Sequence, residues 1–116
     1  MSYAGGLTDV TGVTLVTDGN WHHFAAVKGP DGKIRLYLDG VLQGTSAVTV
    51  PDLSGAPELN IGRNHNNDWY FNGQIDEVRI WNEARSPHQI YADMRQWVRL
   101  DHENLWAYFR FDDGGP

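Results

Sequence analysis

Four stretches of this 116-residue chain carry side chains able to do chemistry. The first is Asp18-Gly19-Asn20-Trp21-His22-His23-Phe24-Ala25-Ala26-Val27, where two adjacent imidazoles invite a metal-site or proton-transfer reading. The second is Gln74-Ile75-Asp76-Glu77-Val78-Arg79, with neighbouring carboxylates of the kind acid/base chemistry uses. The third is Arg63-Asn64-His65-Asn66-Asn67-Asp68-Trp69-Tyr70. The oxygens of Asn64, Asn66, Asn67 and Asp68 suit calcium, a hard ion that takes roughly six to eight oxygen ligands. Trp69 and Tyr70 offer faces for a sugar ring, and His65 and Asn72 offer groups for its hydroxyls. The competing reading of that loop is a polar connection with Trp69 and Tyr70 in the core. The fourth is Asp112-Asp113, an acidic pair ahead of Gly114-Gly115-Pro116 that reads foremost as a solvated turn.

The elements that must position these groups follow from the turn chemistry. Thirteen glycines and turn signals about every ten residues separate short apolar runs, the pattern of an antiparallel β protein. Strands are expected at Val13–Thr17, Trp21–Lys28, Lys33–Leu38, Val41–Thr45, Ala47–Val50, Leu59–Arg63, Tyr70–Phe71, Gln74–Trp81 and Leu105–Phe111. In Lys33–Leu38, residues Ile34, Leu36 and Leu38 alternate with Arg35 and Tyr37. Asp39-Gly40 fits a type I′ hairpin turn, which needs positive φ at both central residues. One helix starts at Ser86, with Pro87 at its first position and Gln89 completing a capping box. Its face Ile90, Met94, Trp97 is expected to lie on the sheet.

Strand alternation already tests the histidine pair. Neighbouring side chains on a strand point to opposite faces, so His22 and His23 cannot readily chelate one metal. The expectation is that each imidazole holds a neighbour structurally and that Trp21 anchors the core.

Composition narrows the function. A net charge of −6 and nine basic residues without a run argue against nucleic acid. No apolar stretch approaches the roughly 20 residues of a membrane span, and MSYAGGLTDV lacks both the basic and the apolar part of a signal peptide. With no cysteine, disulfides, thiolate zinc sites and cysteine nucleophiles are excluded together. No glycine-rich phosphate loop or nucleophile-elbow serine occurs.

Six short motifs stand in order: Trp21-His22-His23, Leu36-Tyr37-Leu38-Asp39-Gly40, Leu59-Asn60-Ile61-Gly62, Phe71-Asn72-Gly73, Ile75-Asp76-Glu77-Val78-Arg79-Ile80-Trp81 and Ser86-Pro87-His88-Gln89-Ile90. Together they resemble the laminin-G-like jelly-roll family, which includes pentraxin-like and concanavalin-A-like lectin domains. The resemblance implies an all-β fold, an antiparallel two-sheet β-sandwich (jelly roll) with one short helix. It also implies that residues 1–103 are the carboxy-terminal part of such a domain, with the pattern's amino-terminal strands missing. Residues 104–116 resemble the family's opening strand, standing either as the start of a next repeat or as a swapped or permuted closing strand. Glucanases on the related fold carry Glu-x-Asp-x-x-Glu along one strand. Here Gln74 and Arg79 occupy the outer positions and only Asp76 matches, so the hydrolase chemistry is lost and Asp76 is expected to be a structural acceptor. Pentraxin-like relatives place calcium ligands in a loop comparable to 64–68, which supports calcium as the candidate cofactor there.

The resulting expectation is a non-catalytic module, extracellular or at the cell surface. It would bind carbohydrate or a surface glycoconjugate through His65, Trp69, Tyr70 and Asn72, with calcium on Asn64, Asn66, Asn67 and Asp68. The alternative is a structural or assembly repeat of a larger extracellular or fibre-like protein, forming homo-oligomers or joining a neighbouring module by strand exchange.

Overall fold

A computed structural model describes residues 10–50, 60–63 and 70–112. The architecture is mostly β, with two antiparallel sheets and one short helix, consistent with the expected β-sandwich. In the first sheet, β1 (Phe24–Lys28), β2 (Ile34–Leu38) and β3 (Val41–Thr45) run in the order β1-β2-β3. In the second, β4 (Val78–Trp81) pairs with β5 (Leu105–Phe109), and α1 (Pro87–Asp93) lies between them in sequence.

The β2–β3 connection is the turn its residues require. Asp39 has φ 49° and Gly40 φ 81°, so both central positions are left-handed. A bulge follows, because Leu36 pairs with Gly44 and Tyr37 with Leu42, which leaves Gln43 over. The Gln43 carboxamide oxygen accepts the N–H groups of Val13 and Thr14 at 3.3 and 3.2 Å. Side-chain capture replaces a backbone ladder there, and the Val13–Thr17 run forms no strand. Similarly, Ser46 accepts the Ile34 N–H at 3.0 Å and donates to the Val48 carbonyl at 2.9 Å, and 47–50 form no strand.

Other expected strands are shorter or absent. Gln74–Glu77 does not join β4, because the Asp76 carboxylate takes the Glu77 N–H at 2.8 Å and Glu77 turns to φ 52°. Residues 60–63 and 70–71 are also outside strands. Tyr37 of the central strand is 5% exposed, and Ile90 of α1 is 6% exposed. These are the buried apolar side chains among the described residues. Trp21, expected in the core, is 65% exposed, because β1 begins only at Phe24 and the tryptophan sits on the approach to it.

The helix start follows its capping box. The Ser86 hydroxyl accepts the Gln89 N–H at 3.2 Å, and the Gln89 side chain accepts the Ser86 N–H at 2.9 Å. The helix stops at Asp93, one turn before Trp97, which is therefore 73% exposed rather than packed on the sheet. Arg79 explains the stop: its guanidinium donates to the Asp93 carbonyl at 2.7 Å and to the Gln96 carbonyl, so those acceptors face β4. At the other side of the helix, Tyr91 covers the hairpin tip, where a Cβ on Gly40 would lie 2.7 Å from its ring.

Candidate functional site

The two histidines have separate surroundings, although both lie on the approach to β1 and not within it. His22 sits between two carboxylates, with Nδ1 2.7 Å from Asp39 Oδ2 and Nε2 2.9 Å from Asp18 Oδ1. Two carboxylate acceptors need two N–H donors, so the ring is held as imidazolium. The hydrogen bond to Asp39, then that to Asp18, raises the His22 pKa. Asp18 falls to about 2, chiefly through the Asn20 N–H it accepts and then through His22. Asp39 is lowered by His22 first and by the His23 N–H at 2.8 Å second. The cluster pins the 18–20 turn and the entry to β1 onto the hairpin tip. His23 is different. Burial lowers its pKa, and the positive charge of Arg79 lowers it further. Its Nδ1 is buried without a hydrogen-bond partner among the described residues. No group of three or more His, Asp or Glu side chains suited to a metal occurs among the described residues.

The acidic stretch is committed to structure. Tyr108 of β5 donates its hydroxyl to Glu77 Oε2, and the Arg79 guanidinium lies 3.4 Å from the same oxygen. Arg79 also stands 5.1 Å from the centre of the Tyr108 ring. Neither Asp76 nor Glu77 is placed as a free nucleophile and acid pair, since one oxygen of each is already engaged.

Of the expected ligand-binding residues, Tyr70 and Asn72 are described, and both are exposed. His65 and Trp69, together with the calcium candidates Asn64, Asn66, Asn67 and Asp68, lie outside the described residues. The two ends of that loop are tied, because the Phe71 N–H donates to the Gly62 carbonyl at 2.7 Å. Gly62 reaches this position at φ 81°, and Arg63 is held by Asn60 Oδ1 at 3.1 Å. Tyr70 is 69% exposed, so it does not sit in the core as the competing reading required. Phe71, which residue type alone assigned to a strand, is 58% exposed beside it. The only sequence signal for that exposure is the following Asn72-Gly73, where a Cβ on Gly73 would lie 2.9 Å from the Phe71 ring.

Two antiparallel sheets, a capped helix behind the second strand pair, and carboxylates spent on structure define a concanavalin-A-like class of β module. Residues 1–91 match a laminin-G-type family model described as the concanavalin A-like lectin/glucanases superfamily, and the chain belongs to that family. The sushi, von Willebrand factor type A, EGF and pentraxin domain-containing protein 1 of Rattus norvegicus is 30% identical over 98 residues. The Mus musculus protein of the same description has the same identity over the same length. Each alignment covers 76% of this chain and 3% of the relative, so the chain spans a small part of the curated relatives it matches. A crystal structure of an S-layer domain-containing protein from Clostridium thermocellum is also similar, with TM-score 0.59 and 26% identity. That likeness covers 72% of this chain and 43% of the solved one. Among the described residues, no helix is long and apolar enough to cross a membrane.

Proposed function

We propose that this chain is a non-catalytic recognition module of an extracellular or cell-surface protein. It binds carbohydrate or a surface glycoconjugate at the 64–72 loop. The observation that carries this reading is the exposed pair Tyr70 and Phe71, held at the stem of a loop whose ends are joined through Gly62. Aromatic faces open to solvent on a fixed stem can stack on a sugar ring at little conformational cost. Calcium on Asn64, Asn66, Asn67 and Asp68 would supply a cation for the ligand's hydroxyls, and one carboxylate among four candidates predicts weak, chelator-sensitive binding. The engagement of Asp76 and Glu77 in local bonds supports a module without hydrolytic activity. A glycan array probed with the labelled chain, with calcium and then with a chelator, tests the reading. Retention on at least one glycan, lowered by Tyr70→Ala and by Asp68→Ala while the melting temperature stays constant, is the expected result. Retention that neither substitution changes would refute the assignment to this loop.

A second reading is favoured by a separate observation. Among the described residues β1 and β3 are the outer strands of their sheet, and apolar side chains stand exposed along and beside them: Phe24 65%, Val41 61%, Leu42 50% and Leu15 84%. Outer strands of this kind can pair with further strands, and the likeness to an S-layer domain-containing protein supports a module that takes part in an assembly. Sedimentation velocity should then show concentration-dependent oligomers that Val41→Lys reduces. A monomer at every concentration would exclude this reading.

A further inference from the structure

A shallow depression of about 320 Å³ lies where the segment after α1 crosses the start of β4. Asp76, Glu77 and Arg79 line it from one side, and Arg95, Gln96 and Trp97 from the other. We propose that this depression binds a neutral pyranose residue, with Trp97 as the stacking platform and Arg95, Gln96 and Asp76 as the hydroxyl-binding groups. The proposal rests on the carbohydrate reading given above, but on residues separate from the 64–72 loop.

The arginine here is unusual among the arginines of the molecule because it is unspent. Arg35, Arg63, Arg79, Arg85, Arg99 and Arg110 each hold a carboxylate, amide or carbonyl oxygen. Arg95 alone has no hydrogen bond or ion pair among the described residues. The Gln96 carboxamide and the Trp97 indole N–H also lack a partner there. Asp76 uses one oxygen for the Glu77 N–H and leaves the other open. A guanidinium, a carboxylate and a carboxamide around one hollow supply donors and acceptors for adjacent sugar hydroxyls.

The platform is also fixed in place. Arg110 lies over the Trp97 ring, 4.2 Å from its centre, and is itself held by Asp112 at 2.8 Å. With one face covered by that cation and the residue still 73% exposed, the open side of the indole is available for the apolar face of a pyranose. The backbone beneath is anchored, because Arg79 binds the carbonyls of Asp93 and Gln96. A rigid platform lowers the ordering cost of binding.

Charge selects the ligand. Glu77 and Arg79 face each other at 3.4 Å, leaving one cation, Arg95, and one anion, Asp76, for the ligand. A hollow balanced in this way, on a chain of net charge −6, favours a neutral sugar over a uronate or sulfated one. A larger depression, about 390 Å³ and lined by Arg99, Asp101, His102 and Glu103, lacks these features. There Arg99 is spent on both oxygens of Asp101 at 3.0 and 2.7 Å, and His102 packs edge-on against Trp81.

The test is an NMR titration of the 116-residue chain with methyl hexopyranosides (gluco, galacto and manno) and with methyl glucuronide. At roughly 20 mM sugar, a site of about 1 mM affinity is nearly saturated. The expected result is movement of the Trp97 indole and Arg95 side-chain N–H signals with at least one neutral sugar. Trp97→Ala or Arg95→Ala should then weaken binding by roughly tenfold or more, as expected for losing a stacking face or a charged donor. Tyr70→Ala should leave this titration unchanged. No movement of these signals with any neutral hexopyranoside, or a response to the glucuronide alone, overturns the proposal. Neutral-sugar binding lost with Tyr70→Ala and kept with Trp97→Ala also overturns it while leaving the loop reading intact.

Discussion

Replacing Arg79 by methionine tests the claim that one guanidinium joins the helix to the second sheet. The side chain is 9% exposed and donates to two main-chain carbonyls, those of Asp93 and Gln96. A hydrogen bond from a charged group contributes about 1.5–3 kcal/mol net, so the two together are worth about 3–6 kcal/mol. The Glu77 contact at 3.4 Å adds little, since that carboxylate is 32% exposed and screened by water. Methionine restores part of the loss by refilling the space of the stem and by removing an Nε that is buried without a partner. The expected net destabilisation is about 2–4 kcal/mol, a large share of the roughly 5–15 kcal/mol that holds a small domain together. Urea unfolding followed by tryptophan fluorescence measures it as a lowered midpoint at constant slope. Arg99→Met is the control, because Arg99 is 83% exposed and its loss should not move the midpoint measurably. Adding Tyr108→Phe to Arg79→Met should cost less than Tyr108→Phe costs alone, as the hydroxyl lies 3.4 Å from the guanidinium in the same network. A loss below about 1 kcal/mol for Arg79→Met would show that the helix is docked by other contacts, and the reasoning would fail.

The His22 cluster makes stability depend on pH in two directions. Its raised histidine pKa contributes stability that is present below the unfolded value near 6.5 and lost as pH rises through the folded value. The lowered Asp18 and Asp39 values contribute stability present above roughly 3.9 and lost as pH falls through the folded values, which for Asp18 is about 2. The cluster is therefore strongest between about pH 4 and 6.5, and His22→Gln should lower the melting temperature inside that window and remove the cluster's decline as pH rises above it. A proton NMR titration should place His22 above and His23 below the free imidazole value, and the reverse order would refute the assignment. Ser86→Ala removes the acceptor of the Gln89 N–H and should cost about 1 kcal/mol by urea unfolding. Gly40→Ala combines φ 81° with a Cβ 2.7 Å from the Tyr91 ring, so roughly 1–3 kcal/mol should be lost in the same assay.

Local chemistry was the legible part of this molecule. The Asp39-Gly40 turn and the Ser86–Gln89 box each depend on residues within a few positions of one another. His22 and His23 do have different surroundings, but they stand ahead of β1 and not on it. Where a distant partner decides, the expectations failed. Val13–Thr17 has the β-branched composition of a strand, yet its N–H groups go to a side chain some thirty residues away, at Gln43. Trp97 falls on the helical face of Ile90, but the helix ends early because Arg79, fourteen residues before Asp93, takes the carbonyl. Periodicity cannot see such a capture, because it reports what one segment prefers and not what another segment offers it.

The same distinction separates structure from function across the candidate sites. The histidine pair and the adjacent carboxylates drew notice first because their residue types are reactive, yet His22 and Glu77 prove to be engaged. Asp76 is engaged through one oxygen, and His23 is half-buried with its Nδ1 unpartnered among the described residues. His22 is held between two aspartates, Asp76 is bonded to the next N–H, and Glu77 is shared by Tyr108 and Arg79. A reactive group with its bonding capacity filled specifies a fold, since breaking it open for a ligand would cost the bonds it already makes. An exposed group with capacity left over gives up only its bonds to water on binding, which the ligand's hydroxyls replace. By that criterion the aromatic stem at Tyr70–Phe71 and the hollow beside Arg95 and Trp97 are the two proposed recognition surfaces. Sugar recognition needs open faces and available donors rather than perturbed acids, so these two surfaces, and not the reactive-looking clusters, are the ones to titrate.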